Sequence, residues 1–278
     1  MMRFGTEKLL FLVCVLLSGC GVDSSPARFM VNGDSTVSDT VRELVWQQMD
    51  DAVERTWDEA STYCSGLQTG GLSGWRLPEK KEALTLVDFS IPAPGPVIAS
   101  NLFPSTKPSP YWTATPSIDV PSQHWFVGFD SGYAYYADSS NRFTVRCVHG
   151  RSMPQPDFVD NGNETVTDRT TGLIWQQSEF GAMTWQDALT FCSTLSLAGY
   201  RNWRLPDIIS LQSLTDPKRL KPALDPAYFP RVQSTHYWTS SEYMADKSKA
   251  WEVGFGNGDL YFHTKTDLPT YVRCVRGS

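Results

Sequence analysis

NWRLPDIISL, residues 202–211, and GWRLPEKKEA, residues 74–83, spell Trp-Arg-Leu-Pro twice, 128 positions apart. Each copy runs into a stretch with helical spacing. Proline suits the first turn of a helix, where its missing N–H has no partner to lose. Glu79 and Asp207, directly after the prolines, complement the positive end of a helix. Each WRLP is therefore expected to be an extended segment that turns into a helix, with its Trp and Leu buried. Arg76 and Arg204 are expected to pair with a carboxylate or a carbonyl, because Arg heads inside folds are usually paired.

The repeat extends outward in both directions. Trp46-Gln47-Gln48 returns as Trp175-Gln176-Gln177, and Tyr111-Trp112-Thr113 as Tyr237-Trp238-Thr239. Trp125-Phe126-Val127-Gly128-Phe129 returns as Trp251-Glu252-Val253-Gly254-Phe255, and Val145-Arg146-Cys147-Val148 as Val272-Arg273-Cys274-Val275. All 10 tryptophans fall into such pairs. This is a tandem duplication, with a first domain expected over 28–149 and a second over 157–278. Each copy has the commonest domain size. The linker 149–156 carries Pro154 and Pro156, which favour an extended chain.

Within each copy the order is legible. Thr56 followed by Glu59, and Thr184 followed by Asp187, are capping-box-like helix starts. Trp57, Ala60, Cys64 and Leu67 then share one helical face, as do Trp185, Ala188, Cys192 and Leu195. A second helix follows WRLP. Alternating Trp125, Val127, Phe129 and Trp251, Val253, Phe255 read as strands, with Asp130-Ser131-Gly132 and Gly256-Asn257-Gly258-Asp259 as turns. The expected fold class is α+β: two helices per copy, then short antiparallel strands. Asp157 to Asp168 is rich in oxygen ligands and superficially like a calcium loop. Its Asn161-Gly162 step favours a hairpin instead.

The amino terminus reads as an address. Arg3 and Lys8 precede the apolar run Leu9–Leu17, too short to span a bilayer, with the proportions of a secretory signal over 1–19. Leu17-Ser18-Gly19-Cys20 resembles a bacterial lipobox. That resemblance implies cleavage before Cys20, a diacylglycerol on its thiol, and a lipidated tether over 20–27. Gly21, where Asp would favour the inner membrane, leans the expectation to the outer membrane of the cell envelope. The partner implied is a lipid bilayer, held through acyl chains. Loss of Arg3, Glu7 and Lys8 with the signal changes the formal charge from −6 to −7. Such a balance speaks against nucleic acid.

Cys64, Cys147, Cys192 and Cys274 remain for the exported chain, two per copy. An even set outside the cytoplasm reads as disulfides. Of the three pairings open to four cysteines, duplication favours Cys64 with Cys147 and Cys192 with Cys274. No CxxC occurs, and His124, His149, His236 and His263 form no ligand spacing, so neither a metal nor a cofactor is expected.

The run D-N-G-x-x-T-V-T-D-x-x-T-G-L-x-W-Q, then T-W-x-x-A, W-R-L-P, Y-W-T-S-S, W-x-V-x-F and V-R-C-V-R, resembles the bacterial domain named for the C-terminus of the Legionella collagen-like adhesin. Residues 157–278 match nearly throughout; the first copy departs at Val31–Asp34 and Thr40–Leu44. The resemblance implies a pair of C-type-lectin-like domains, and its namesake implies binding to a glycan on a surface. The calcium-site pattern of sugar-binding C-type lectins, Glu-Pro-Asn or Gln-Pro-Asp followed by Trp-Asn-Asp, does not occur here, since Gln155-Pro156-Asp157 has no Trp-Asn-Asp after it.

The copies differ most between second helix and YWT strand. The loop 216–231 carries Lys218, Arg219, Lys221 and Arg231 against Asp216 and Asp225, and loops on rigid scaffolds often recognise ligands. An anionic glycan is one expected partner there; another envelope protein, in a structural role, is the alternative. An enzyme of the formylglycine-generating type, which shares the broader lectin-like fold, would need reactive cysteines. With the four cysteines expected in pairs and no Ser-His-Asp spacing legible, the expectation is a binding protein and not an enzyme.

Overall fold

The computed structural model describes residues 27–266 and 269–277; the signal segment, Cys20 and most of the tether lie outside them. The first copy forms β1 (Phe29–Val31), β2 (Thr36–Asp39), β3 (Leu44–Gln47), α1 (Trp57–Gly66) and α2 (Lys80–Leu84). It continues through β4 (Pro110–Pro116), β5 (Gln123–Gly128), β6 (Ala134–Asp138) and β7 (Val148–His149). The second copy forms β8 (Phe158–Asp160), β9 (Thr165–Asp168), β10 (Ile174–Gln176), β11 (Ala182–Met183), α3 (Trp185–Thr194) and α4 (Ile208–Gln212). It ends with β12 (His236–Glu242), β13 (Lys249–Gly254), β14 (Leu260–Thr264), β15 (Thr270–Tyr271) and β16 (Val275–Arg276).

Three sheets organise these strands. Each copy has a four-stranded sheet of its own, β1-β2-β3-β7 in one and β16-β10-β9-β8 in the other. The third has eight strands in the order β11-β15-β12-β13-β14-β6-β5-β4 and runs through both copies. The copies join where β14 pairs antiparallel with β6, Leu260 opposite Ala134. Those two residues are each other's equivalents in the repeat, 126 positions apart. The joint is thus self-complementary, like an isologous interface between identical subunits.

The expected α+β class, and with it the C-type-lectin-like pair, is corrected by this architecture, which is mostly β. Strands outnumber helices sixteen to four among the described residues. Two helices do form in each copy, but the one after WRLP has only five residues. After Leu84 and Gln212 the chain turns inward, because the following loops supply core: Val97, Ile98 and Phe103 in one copy, Ala223, Leu224 and Phe229 in the other.

Local chemistry explains the elements that do form. Thr56 accepts from the Glu59 N–H while Glu59 accepts from the Thr56 N–H, a closed capping box. Thr184 likewise accepts from the Asp187 N–H. Beyond each helix a two-residue turn reverses the chain, bridging Thr69 to Leu72 and Leu197 to Tyr200. Both central residues take positive φ, Gly70 and Gly71 in one copy, Ala198 and Gly199 in the other. That is the geometry glycine admits without strain. Residues 157–168 form the hairpin β8–β9, with Phe158 opposite Asp168. Its Asp160 accepts from Gly162 N–H and Gln177, and Asp168 from Thr170 N–H.

The disulfides are Cys64–Cys147 and Cys192–Cys274, one within each copy, closing loops of 83 and 82 residues. A loop that long constrains the unfolded chain by about 4–5 kcal/mol in the chain-entropy account. Beside each second cysteine lies a fully buried arginine. Arg146 donates to the Gln47 and Gln48 carbonyls and pairs with Asp50 at 2.6 Å. Arg273 donates to the Gln176 and Gln177 carbonyls and pairs with Glu179 at 2.9 Å. These arginines tie the terminal segment of each copy to the Trp-Gln-Gln strand. Arg76 meets the expectation for WRLP, pairing with Glu82 at 2.7 Å and donating to the Gly150 carbonyl.

One apolar cluster spans both copies, from Val37 and Trp46 through Leu84 and Leu211 to Trp251 and Val275. Phe89 of the first copy meets Trp251 of the second edge-on at 5.4 Å. Lys80, the first residue of α2, crosses the joint: its Nζ donates to the Gly258 carbonyl at 2.7 Å and lies 4.0 Å from the Trp125 ring centre. Ile208 is the equivalent residue in the second copy, so this crossing is made once.

Two tests follow from the buried charges. Arg273→Leu leaves Glu179 and two buried carbonyls unmatched, and is expected to cost about 3–5 kcal/mol in urea unfolding; a cost under about 1 kcal/mol would contradict the tie. Burial lowers the Lys80 pKa from 10.5 to about 7, so the unfolded chain binds the extra proton between those values. Stability is therefore expected to rise from pH 7 to 10, and Lys80→Met to flatten that rise. A Lys80→Met protein with the parent's pH slope would show that another group carries it.

Candidate functional site

A cleft of about 990 Å³ runs along the joint, within the range of ligand sites. β6 and the turn before it contribute Asp130, Tyr133 and Tyr135; β14 and its turn contribute Asp259, Tyr261 and His263. His236, at the start of β12, and Tyr243 just past its end complete the second copy's share. Strand side chains alternate between faces. Tyr135 and Tyr261 therefore project away from the apolar partners Ala134 and Leu260, and they remain 44% and 51% exposed. They are equivalent residues, so the cleft presents the same ring from each copy.

The copies diverge beneath those rings. In the first, the outward face of β5 carries Phe126, packed edge-on against Tyr133 at 5.6 Å and Phe143 at 4.9 Å. In the second, the equivalent residue is Glu252, fully buried. A buried carboxylate is costly unless bonded, and Glu252 is bonded: His263 Nδ1 lies 2.6 Å from it and Thr270 donates at 2.9 Å. His263 replaces Ala137. His236, which replaces Pro110, sets its Nε2 3.6 Å from Asp259, which replaces Tyr133. The Tyr261 ring sits between the two imidazoles, 5.0 Å from His263 and 6.3 Å from His236.

Electrostatics follow from these neighbours. Contact with Asp259 raises the His236 pKa above 6.5 despite burial, which opposes it. At 3.6 Å the contact is an ion pair and falls short of a hydrogen bond. The Asp259 side chain lies against Gly254, where a Cβ would collide with it. The arrangement offers flat aromatic surface, hydrogen-bonding imidazoles and carboxylates in one groove, the ordinary means of holding a polar ligand with an apolar face.

The residues expected from sequence lie elsewhere. Arg219 is engaged by Asp225 at 3.0 Å and Asp216 at 3.3 Å. Lys218, Lys221 and Arg231 are exposed, and none of the four lines the cleft. The loop 216–231 is instead anchored by Ala223, Leu224 and Phe229 in the core. Cys64, Cys147, Cys192 and Cys274 are all disulfide-bonded. Among the described residues no three His, Cys, Asp or Glu side chains converge as metal ligands, and no helix is long and apolar enough to cross a membrane. The signal for the cleft was present in the repeat: Phe126 becomes Glu252 inside an otherwise matched Trp-x-Val-Gly-Phe, an exchange of apolar for charged at a strand position.

Fold and cleft define a doubled, disulfide-closed, mostly β module. The Lcl C-terminal domain model matches twice, over residues 35–149 and 164–276, and the chain belongs to that family as a tandem pair. No curated protein matches it.

The raised pKa has a testable sign. His236 gains its partner in the folded state, so its contribution is full below about pH 6.5 and is lost as pH rises through the higher folded value. Proton NMR is expected to place His236 above the value of a free histidine, and Asp259→Asn to return it there. An unchanged titration in Asp259→Asn would show that Asp259 is not the cause.

Proposed function

We propose that this chain is a lipid-anchored binding module of the bacterial envelope, adhesin-like, which takes a glycan in the cleft between its copies. One observation carries the reading: two equivalent tyrosines stay about half exposed inside a groove of ligand size. Rings fixed on strands lose little conformational freedom on contact, which is why tyrosine is favoured in recognition surfaces. Sugar rings present apolar C–H faces to such platforms and hydroxyls to the imidazoles and carboxylates beside them. The lipobox-like Leu17–Cys20 supports an anchor at acylated Cys20, and Gly21 supports the outer membrane. The reading is of binding without catalysis.

Docking to another envelope protein is the second reading. It draws on β1, an edge strand whose Met30 and Val31 are 51% and 47% exposed. Unpaired edges are templates for another chain.

A glycan array probed with the full-length protein in detergent separates these readings. Tyr261→Ala and Tyr135→Ala are each expected to weaken the strongest signals about tenfold or more, the usual result of removing an aromatic anchor. The triple variant Lys218→Ala/Arg219→Ala/Lys221→Ala is expected to leave them intact. Loss of signal in the triple variant alone would move the site to the basic loop. A blank array with retained capture of an envelope protein would favour docking.

A further inference from the structure

The charge of the cleft narrows what it takes. Three carboxylates meet there: Asp130 and Asp259 on the lining and Glu252 behind His263. Against them stand His236, His263 and the buried Lys80, whose Nζ bonds the Gly258 carbonyl next to Asp259. Lys249 and Lys265, nearby on β13 and just past β14, are matched by Asp246 and Glu242. With the three carboxylates ionised, the formal balance of these six groups is negative or zero, whichever of the bases carry a proton. It is never positive. An anionic glycan would be repelled or left unpaired there, and leaving a charge unpaired on desolvation is costly.

The same groove is suited to a cation. Tyr133, Tyr135, Tyr243 and Tyr261 line it, and aromatic faces attract ammonium groups, most strongly when water is excluded. Two buried polar atoms of the groove's lining have no hydrogen-bond partner, the carboxylate oxygen Oδ1 of Asp130 and the ring nitrogen Nε2 of His236. Buried polar groups normally have partners, so an orphaned oxygen beside a cleft asks for an explanation. The second copy alone exchanged apolar for acidic groups at two of these positions, Phe126 for Glu252 and Tyr133 for Asp259. The exchange brought in these acids together with His236 and His263, left Gly256 where the first copy has Asp130, and kept the paired tyrosine platforms. Two like platforms related by the repeat suit a polymer of like units better than a side chain on a folded partner.

Resting on the glycan reading of the cleft, we infer that its ligand is a saccharide carrying free amino groups, held by stacking on Tyr135 and Tyr261 and by charge pairing with Asp259 and Asp130. Hydrogen bonds to charged groups contribute about 1.5–3 kcal/mol each, so removing the charge on either side should cost about tenfold or more in affinity.

Calorimetry with the full-length protein in detergent tests this with four probes: a glucosamine tetramer, its N-acetylated counterpart, a sulfated tetrasaccharide and a lysine tetrapeptide. The glucosamine tetramer is expected to bind about tenfold or more tightly than the N-acetylated one. Asp259→Asn is expected to weaken it by a similar factor and to narrow its preference over the N-acetylated probe; Asp130→Asn serves as an independent second variant, with thermal melting checked for both. Equal binding of the two tetramers would overturn the amine inference while the cleft reading stands. Preference for the sulfated probe, or for the lysine peptide, would also overturn it. If a saccharide binds and Tyr261→Ala does not weaken it, the cleft itself is the wrong site and both readings fall.

Discussion

A bare strand edge invites pairing with other chains, and each copy of this repeat ends its run of β-strands on one: β6 in the first, β14 in the second. Placing the two edges side by side removes both at once. The hydrogen-bonded joint is short, a single opposed pair, Leu260 with Ala134. One pair of that kind is too little to hold two units of over a hundred residues together. The adhesion comes from what lies beneath: the shared apolar cluster, Phe89 against Trp251, and Lys80 reaching the Gly258 carbonyl. Covalent linkage through residues 149–156 helps as well, since it turns a bimolecular association into an intramolecular one. The central sheet, and the cleft that lies along it, exist because of this joint.

A joint made from equivalent residues is symmetric by construction, so departures from symmetry carry information. Where the first copy buries Phe126, the second buries Glu252, and a carboxylate at that depth is tolerable only with its bonds complete. His263 and Thr270 complete them. A single exchange of Phe for Glu would have been severely destabilising; the His and the Thr had to be present with it. Sequences depart from the simplest packing mainly where function requires it. The first copy keeps the apolar solution, which shows that the fold itself asks for nothing else.

Much of this was legible in the sequence, because it depends on local pattern or on the repeat. Thr56 and Thr184 announce their helices, Asn161-Gly162 announces the β8–β9 hairpin, and the matched cysteines announce their pairing. The fold class was not legible in the same way. WRLP opens a helix, but nothing local to Lys80–Leu84 says that it ends after five residues; that is set by Val97, Ile98 and Phe103 turning into the core. Which edges meet is equally nonlocal. The basic loop drew attention because charge is visible in a string of letters. The cleft did not, because its residues are scattered from Asp130 to His263 and come together only when β6 meets β14. Arg146 and Arg273, read as part of a repeated motif, proved to be buried ties, a role visible only once the Trp-Gln-Gln carbonyls lie beside them.

The position of those ties bears on how the cleft keeps its shape. In the second copy, Thr270, Arg273 and Cys274 lie on one terminal segment. Cys274 is fixed to α3 by its disulfide, and Arg273 is fixed to the Gln176 carbonyl of β10, to the Gln177 carbonyl just past it and to Glu179. Tyr271, between them, pairs with Ala182 on β11 and with Tyr237 on β12. Thr270 is therefore held from several sides before it donates to Glu252, and Glu252 in turn fixes His263 beside Tyr261. Binding groups work best when their own positions are locked by packing and by bonds further back. Here the chain of fixation runs from the disulfide through the buried arginine to the exposed ring, so the features that stabilise the second copy are also those that set the geometry of its face of the cleft.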